Sequence, residues 1–444
     1  MPPLATAITP GESIALGHAL PAWAVLPFVL MLLCIAILPL AAGHLWEPNR
    51  NKALVSALLG LPVLAWISLL QPDVVRHTAE EYAAFILLLG TLYTISGGVV
   101  VRGTLAGTPG SNAVFLAIGA VLASVIGTTG ASMVLVRPML RANSIRRRKA
   151  HVFVFFIFVV SNAGGLLTPL GDPPLFLGFL RGVPFLWTLR LFPAWLMVNA
   201  ALLVLFYIVD SQIFRQEDLE RRNEDLDQVA VGHVLPVHVA GKRNLAYLAA
   251  VVVLLLVCGV YGAPVWAQGL GLLVLGGLSL VTTPGELRAE NAFSWGPIVE
   301  VAVIFAGIFA TMIPALEILN ARGAALGLTE PWQFFWASGA LSSFLDNAPT
   351  YLAFASAASG LAGTDAARLA ELVASPRGAS LLQAVALGSV LMGANSYIGN
   401  GPNFMVKAIA EANGVRMPSF LGYMAWSGAV LVPLFVAVTF VFMR

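Results

Sequence analysis

SNAGGLLTPLGDPPLF, residues 161–176, interrupts an otherwise apolar run that extends from 151 to 180. In a helix interior each glycine costs about 1 kcal/mol and each proline about 3 kcal/mol, so this clustering marks backbone meant to leave the helix in mid-run. A second stretch, GANSYIGNGPNF at 393–404, does the same inside the run 380–411. Setting GDPPLF over GNGPNF places Gly171 on Gly399, Asp172 on Asn400, Pro174 on Pro402 and Phe176 on Phe404.

The surrounding chain explains where such breaks would sit. Of 444 residues 59% are hydrophobic and 10% charged, far below the quarter or so of charged residues in a soluble domain. Apolar runs at 22–42, 53–71, 81–101, 151–180, 186–209, 244–262, 264–282, 294–319, 380–411 and 419–443 each approach the roughly 20 residues that cross a bilayer. The chain therefore reads as an all-α polytopic membrane protein. Its net charge of +2 implies neither nucleic acid nor an acidic partner. Cys34 and Cys258 lie inside apolar runs without disulfide or metal spacing. No Lys or Arg precedes Arg50, so the start lacks a basic signal-peptide region and the first run is expected to remain as a helix.

Two further runs, 113–140 and 329–358, carry small-polar clusters at their middles: Gly127-Thr128-Thr129-Gly130 and Asp346-Asn347-Ala348-Pro349. Both read as re-entrant hairpins; a single span with a loosened middle is the alternative, and irregular backbone at depth requires protein or a wet cavity around it. With hairpins, the run Arg146-Arg147-Arg148-Lys149 shares its side with 16 of the 24 basic residues, against 7 opposite and Arg137 inside the first hairpin. That side is expected to be cytoplasmic and both termini outside. The plan of helix, helix, hairpin, interrupted helix, helix then occurs twice in opposite orientation. The expected divisions are an N-terminal extra helix at 1–52, a first inverted repeat at 53–209, a cytoplasmic linker at 210–243, a connecting helix at 244–263 and a second repeat at 264–444. The linker's His233 and His238 read as solvated residues rather than ligands, because no acidic or Cys partner recurs at metal spacing.

Paired broken segments are the best sequence pointer to the site of an inverted-repeat transporter, since freed carbonyls and half-helix ends can replace the water of a small cation. Asp172 and Asp346 stand beside the breaks. An ionised carboxylate at bilayer depth costs at least about 2.5 to 3.5 kcal/mol, so both are candidate ligands for a monovalent cation or a proton. Each could instead merely cap a half-helix. Thr128, Thr129, Ser132, Asn162, Thr168, Ser342, Ser343, Asn347, Thr350, Asn395, Ser396, Asn400 and Asn403 supply neutral oxygens nearby, and each is equally readable as a helix-packing hydrogen bond. Glu300 and Glu317 could line a path or pair with another helix. Arg137 reads as a snorkelling side chain, with a role beside a carboxylate as the alternative.

At these residues the chain resembles the ion transporter superfamily, in particular its branch of D-type sodium/proton antiporters, arsenite permeases and the melanosomal P protein. SNAGGLLTPLGDPP is similar to that branch's GGxxTPxGDPP segment, and SSFLDNAPT to its SxxxDNxP hairpin motif. The resemblance covers nearly the whole chain. It implies an elevator carrier, with a transport domain moving against a dimer-forming scaffold, in the cytoplasmic membrane of a bacterium. Carboxylate carriers of the superfamily have Ser-Asn-Thr at both hairpin tips, whereas here the tips read TTGAS and DNAPT, and GNGPN replaces the usual segment of the last interrupted helix.

The leading expectation is a secondary transporter without a cofactor. It would exchange sodium or lithium for protons, with Asp172 and Asp346 alternately protonated and cation-bound because burial disfavours their charged form. Cation-coupled symport of citrate or another di- or tricarboxylate is the alternative, and arsenite export a third. An intramembrane aspartyl protease is remote, since it needs no duplicated site. The lipid bilayer, a small ion or anion, and a second copy of the chain are the expected partners. The uneven placing of the acids, one in a broken helix and one in a hairpin, favours the cation reading.

Overall fold

The computed structural model describes residues 16–46, 48–102, 107–223, 238–261, 263–291 and 293–443. In chain order the principal helices are α1 (Leu26–Ala41), α2 (Asn49–Leu70), α3 (Pro72–Ser96), α4 (Pro109–Ile126), α5 (Thr128–Ala142), α6 (Ala150–Val159), α7 (Pro173–Leu180) and α8 (Phe192–Asn223). After the middle of the chain come α9 (Lys242–Tyr261), α10 (Val265–Thr282), α11 (Gly296–Arg322), α12 (Pro331–Ser342), α13 (Asn347–Ala362), α14 (Pro376–Met392), α15 (Gly401–Ala412) and α16 (Phe420–Phe442). One short antiparallel ribbon, β1 (Val100–Arg102) with β2 (His238–Ala240), pairs Arg102 with His238. His238 is exposed there, and His233 lies outside the described residues.

Ten helical segments among the described residues are long and apolar enough to cross a membrane. They include the first hairpin arm, Pro109–Ile126, and leave out α3, expected as a span over 81–101, whose first turns carry Asp73, Arg76, Glu80 and Glu81. The chain is an integral membrane protein.

Its helices pack as two groups. Helices α1, α2, α3, α9, α10 and α11 contact one another, and α4 to α8 join α12 to α16 in a second group; α11 against α13, and α3 against α5 and α7, connect the two. The innermost segments are the interrupted ones, with 89% of the 150–167 window and 83% of the 376–395 window buried, against 22% for α2 and α16. The outer helices turn large aliphatic side chains such as Leu58 and Val281 outward, where hydrocarbon replaces water at no penalty.

Both candidate hairpins fold back on themselves. Asn112 and Asn143, at the far ends of α4 and α5, exchange hydrogen bonds at 2.9 Å in each direction, and the reversal takes place at Gly127, whose φ of 81° lies in the region that favours glycine. In the second pair the end of α13 returns to the end of α11, where a Cβ on Gly360 would fall 2.2 Å from the Asn320 carbonyl.

The expected linker begins later than its polarity indicates. Helix α8 does not stop at 209 but continues to Asn223, and Asp210 is fully buried within it. Its carboxylate accepts from Asn112 at 3.1 Å, bonds His151 Nε2 at 2.8 Å and pairs with Arg146, which also reaches Glu217 at 3.2 Å. A charge that looks solvated in sequence is thus the centre of a network tying α8 to the first hairpin. Replacing Arg146 by Met takes the guanidinium from two buried carboxylates, leaving Asp210 to Asn112 and His151, and Glu217 to the Arg148 amide. Breaking a buried pair in this way costs about 3 to 5 kcal/mol. Thermal unfolding of purified Arg146→Met in detergent is expected to show a clear drop in Tm; an unchanged midpoint would remove the network from the fold's supports.

Candidate functional site

Each interruption has the same local build. A short 3-10 turn, Ala163–Leu167 or Gly393–Asn395, is followed by an extended hydroxyl residue, Thr168 (φ −139°, ψ 159°) or Ser396 (φ −137°, ψ 168°). The next half-helix is preceded by Asp172 (φ −144°, ψ 143°) or Asn400 (φ −148°, ψ 138°). Thr168 and Ser396 donate to the Ser124 and Ser343 carbonyls respectively, binding each break to the tip of a hairpin. Gly171 and Gly399 lie so close to Gly165 and Gly393 that a Cβ on either would fall 2.0 and 2.5 Å from the opposing carbonyl oxygen.

Asp172 occupies the cap position of α7 but does not cap it. Pro173 and Pro174 have no N–H to offer, and the carboxylate makes no hydrogen bond to the helix. Instead Oδ1 accepts from the Thr128 hydroxyl at 2.9 Å and, at longer range, from Asn400 Nδ2 at 3.4 Å, while Oδ2 accepts from Asn347 Nδ2 at 2.8 Å. Both hairpin tips and both interruptions therefore meet on one carboxylate, which is 1% exposed. Every donor is neutral. An ionised carboxylate so placed is hydrogen-bonded yet electrically uncompensated, a condition that a proton or a small cation relieves.

Asp346 behaves differently. It is half-buried and its side chain accepts from Ala348 N at 3.1 Å, the ordinary N-cap of α13, while Thr350 donates to its main-chain oxygen at 3.0 Å. Of the two candidate acids, Asp172 is thus received by the Asn347 side chain and does not cap, while Asp346 takes the capping position that the sequence left open for both.

The other candidates fall into supporting tiers. Asn162 donates to Asn403 Oδ1 at 2.7 Å, Asn400 donates to Asn162 Oδ1 at 3.1 Å, and Asn403 donates to the Gly393 and Ser396 carbonyls, each at 2.9 Å, so amides join the two breaks directly. Ser342 donates to Asn347 Oδ1 at 2.8 Å, which orients the amide nitrogen towards Asp172. Ser132 pairs with Ser161 at 2.8 Å, and Ser343 accepts from Asn395 at 2.9 Å, one layer away from the carboxylate. Thr129 is half-buried and faces a pocket. Sequence reasoning passed over Ser161, whose carbonyl accepts from Asn400 at 3.0 Å, and Ser124; the first stands next to Asn162 in the motif, and the second carried no signal. Glu300 pairs with Lys52 at 2.6 Å, and Arg137 donates to the Asn291 carbonyl at 3.0 Å; among the described residues neither has a contact with Asp172.

The pocket, about 620 Å3, opens between α3, α11 and the first hairpin tip, with Asp172, Thr128 and Thr129 at its polar end and Leu88, Phe176 and Val301 among its apolar walls. None of its lining residues is Lys, Arg or His. The N-terminus of α5 borders it, with the Thr128 amide donating to the Gly171 carbonyl at 2.8 Å, and the positive end of the helix favours an anionic group.

Helices broken at a polar centre, inside a shell of lipid-facing spans, are the construction of a membrane transport protein rather than of an enzyme. Residues 17–443 match the family described as "Putative citrate transport", a branch of the ion transporter superfamily, and the chain belongs to that family. No curated protein sequence matches it. The superfamily expected from the two motifs is the one found. The family's description sides with the carboxylate alternative rather than with cation/proton exchange.

Proposed function

We propose that the protein is a cation-coupled carrier of citrate or a related di- or tricarboxylate, with Asp172 as the residue that takes the coupling sodium ion or proton. The observation that carries this reading is a buried, uncompensated Asp172 at the end of a pocket without a basic side chain. A multiply charged anion beside that carboxylate would meet only repulsion unless cations came with it. The Thr129 hydroxyl and the amides that follow Thr128 in the first turn of α5 can then hold a substrate carboxylate. Thr128, Asn347 and Asn400 position Asp172; Asn162, Asn403 and Ser342 hold those three in place. Asp346 takes the lesser part of a nearby charge.

The same reading includes the two halves as inverted repeats, 53–209 and 264–444, with α8 running past the first to Asn223 and 244–263 as a connecting helix. Support comes from the matched dihedral angles of the two breaks and their matched hydroxyl contacts. The group containing α3 and α11 serves as scaffold and dimer surface, and the group containing both hairpins as the moving transport domain, with both termini outside.

Uptake of radiolabelled citrate into liposomes carrying the purified protein tests the reading. Inward gradients of sodium, protons or a divalent cation are imposed one at a time. At least one gradient is expected to drive citrate accumulation above its equilibrium level. If no di- or tricarboxylate enters under any of them while sodium dissipates a pH gradient, the protein is an antiporter and the proposal fails.

A further inference from the structure

A second pocket shares no lining residue with the one at Asp172. It lies where the first turns of α3, the end of α7, the last turns of α11 and the loop 363–368 after α13 come together, and its walls include His77, Arg181, Glu317, Asn320 and Asp365. Arg181 is already committed. Its guanidinium donates to both Glu81 carboxylate oxygens at 2.8 and 3.0 Å and to the Ala366 carbonyl at 3.2 Å. His77 faces the same Glu81, 3.8 Å from Oε1.

That leaves Glu317 and Asp365 without a counter-ion of their own among the described residues. Asp365 is 2% exposed and Asn320 4%. One oxygen of Asp365 accepts from Ala367 N at 2.9 Å, but its Oδ2, together with Glu317 Oε2 and Asn320 Oδ1, has no hydrogen-bond partner among the described residues. All three unpartnered atoms are oxygen acceptors, and no wall residue offers an unpartnered buried donor. Buried polar atoms are ordinarily satisfied, and water alone would satisfy these acceptors without neutralising the two carboxylates.

We propose that this pocket binds a hard divalent cation, held by Glu317, Asp365 and the Asn320 carbonyl oxygen, with water completing the shell. Oxygen-only ligands are the set such ions take, and two carboxylates whose nearest cation, Arg181, is already paired with Glu81 attract further positive charge. Among the described residues no three acidic, His or Cys side chains form a metal site by themselves, and here the third protein ligand is the neutral Asn320 amide. The ion would bridge α11 to the loop after α13, joining the two helix groups beside the Glu81 and Arg181 pair. This site is independent of the transport reading.

Binding of radioactive calcium to the purified full chain in citrate-free detergent solution tests it, with magnesium as competitor. Saturable binding is expected in the wild type and, undiminished, in Asp172→Asn. Asp365→Asn and Glu317→Gln should each weaken it at least ten-fold, and Asn320→Ala several-fold. Calcium should also raise the Tm of the wild type and leave that of Asp365→Asn unmoved. No saturable binding, binding as tight as wild type in the Asp365 or the Glu317 variant, or loss of binding in Asp172→Asn would each overturn the proposal. Variants count only when monodisperse; if both acidic variants misfold, Asn320→Ala decides, and unchanged affinity in it refutes the site.

Discussion

Asp172→Asn is expected to reduce cation-driven citrate uptake into proteoliposomes at least about 100-fold while leaving the protein folded. The substitution keeps the shape and removes the charge from a carboxylate that is 1% exposed and faces only the neutral groups of Thr128, Asn347 and Asn400. Removing an uncompensated buried charge strands no partner ion, but the new amide nitrogen must face a donor, so the melting temperature should change little. A small cation or proton then has no anionic ligand at the centre, and its gradient can no longer drive the substrate. Asp346→Asn should lower uptake only several-fold, because asparagine caps a helix about as well as aspartate does. Equal losses in the two variants would restore the paired-carboxylate mechanism, and near-normal uptake in Asp172→Asn would end the role assigned to that residue.

Gly171→Ala is expected to prevent accumulation of folded protein almost entirely. Its new Cβ would stand 2.0 Å from the Gly165 carbonyl oxygen, and both parties are main chain within buried segments, so no flexible side chain can move aside. Overpacking commonly costs about 1 to 3 kcal/mol, and a backbone collision inside one interruption, between its 3-10 turn and the chain entering the next half-helix, belongs at or beyond the top of that range. Gly399→Ala meets the Gly393 carbonyl at 2.5 Å and should be nearly as harmful. Gly401→Ala provides the internal comparison, being two residues away at the start of α15 with nothing within 4 Å of its Cβ. The yield of monodisperse protein extracted from membranes measures all three. Normal yields for Gly171→Ala would mean that the two sides of the first break are not held in close contact.

These expectations rest unequally on sequence and on packing. The interruptions were legible because their cause is local: proline lacks an N–H and glycine lacks a side chain wherever the chain goes. Thus 151–180 resolves into α6, a turn and α7, and 380–411 into α14, a turn and α15, close to the expected positions. The family, too, could be read from contiguous motifs. The substrate class could not, and the expectation that unequal acids favour cation exchange gives way to the family's citrate description. Hydropathy failed where charge and depth part company. Asp210 looks like the first residue of a polar linker and is fully buried, since Arg146 and His151 come to it from 64 and 59 positions away.

The same limit separates the two aspartates. By itself the sequence determined that this chain is membrane-embedded, helical, broken at two matched places, and that an acid stands at each of a broken helix and a hairpin tip. All of that follows from composition and from the intrinsic preferences of glycine, proline and charge. Only the tertiary structure decided which acid is central. Asp172 and Asp346 both precede a helix, but two prolines deny Asp172 the amides that Asp346 caps. Its partners Thr128, Asn347 and Asn400 lie 44, 175 and 228 residues away and converge through packing that no local pattern encodes.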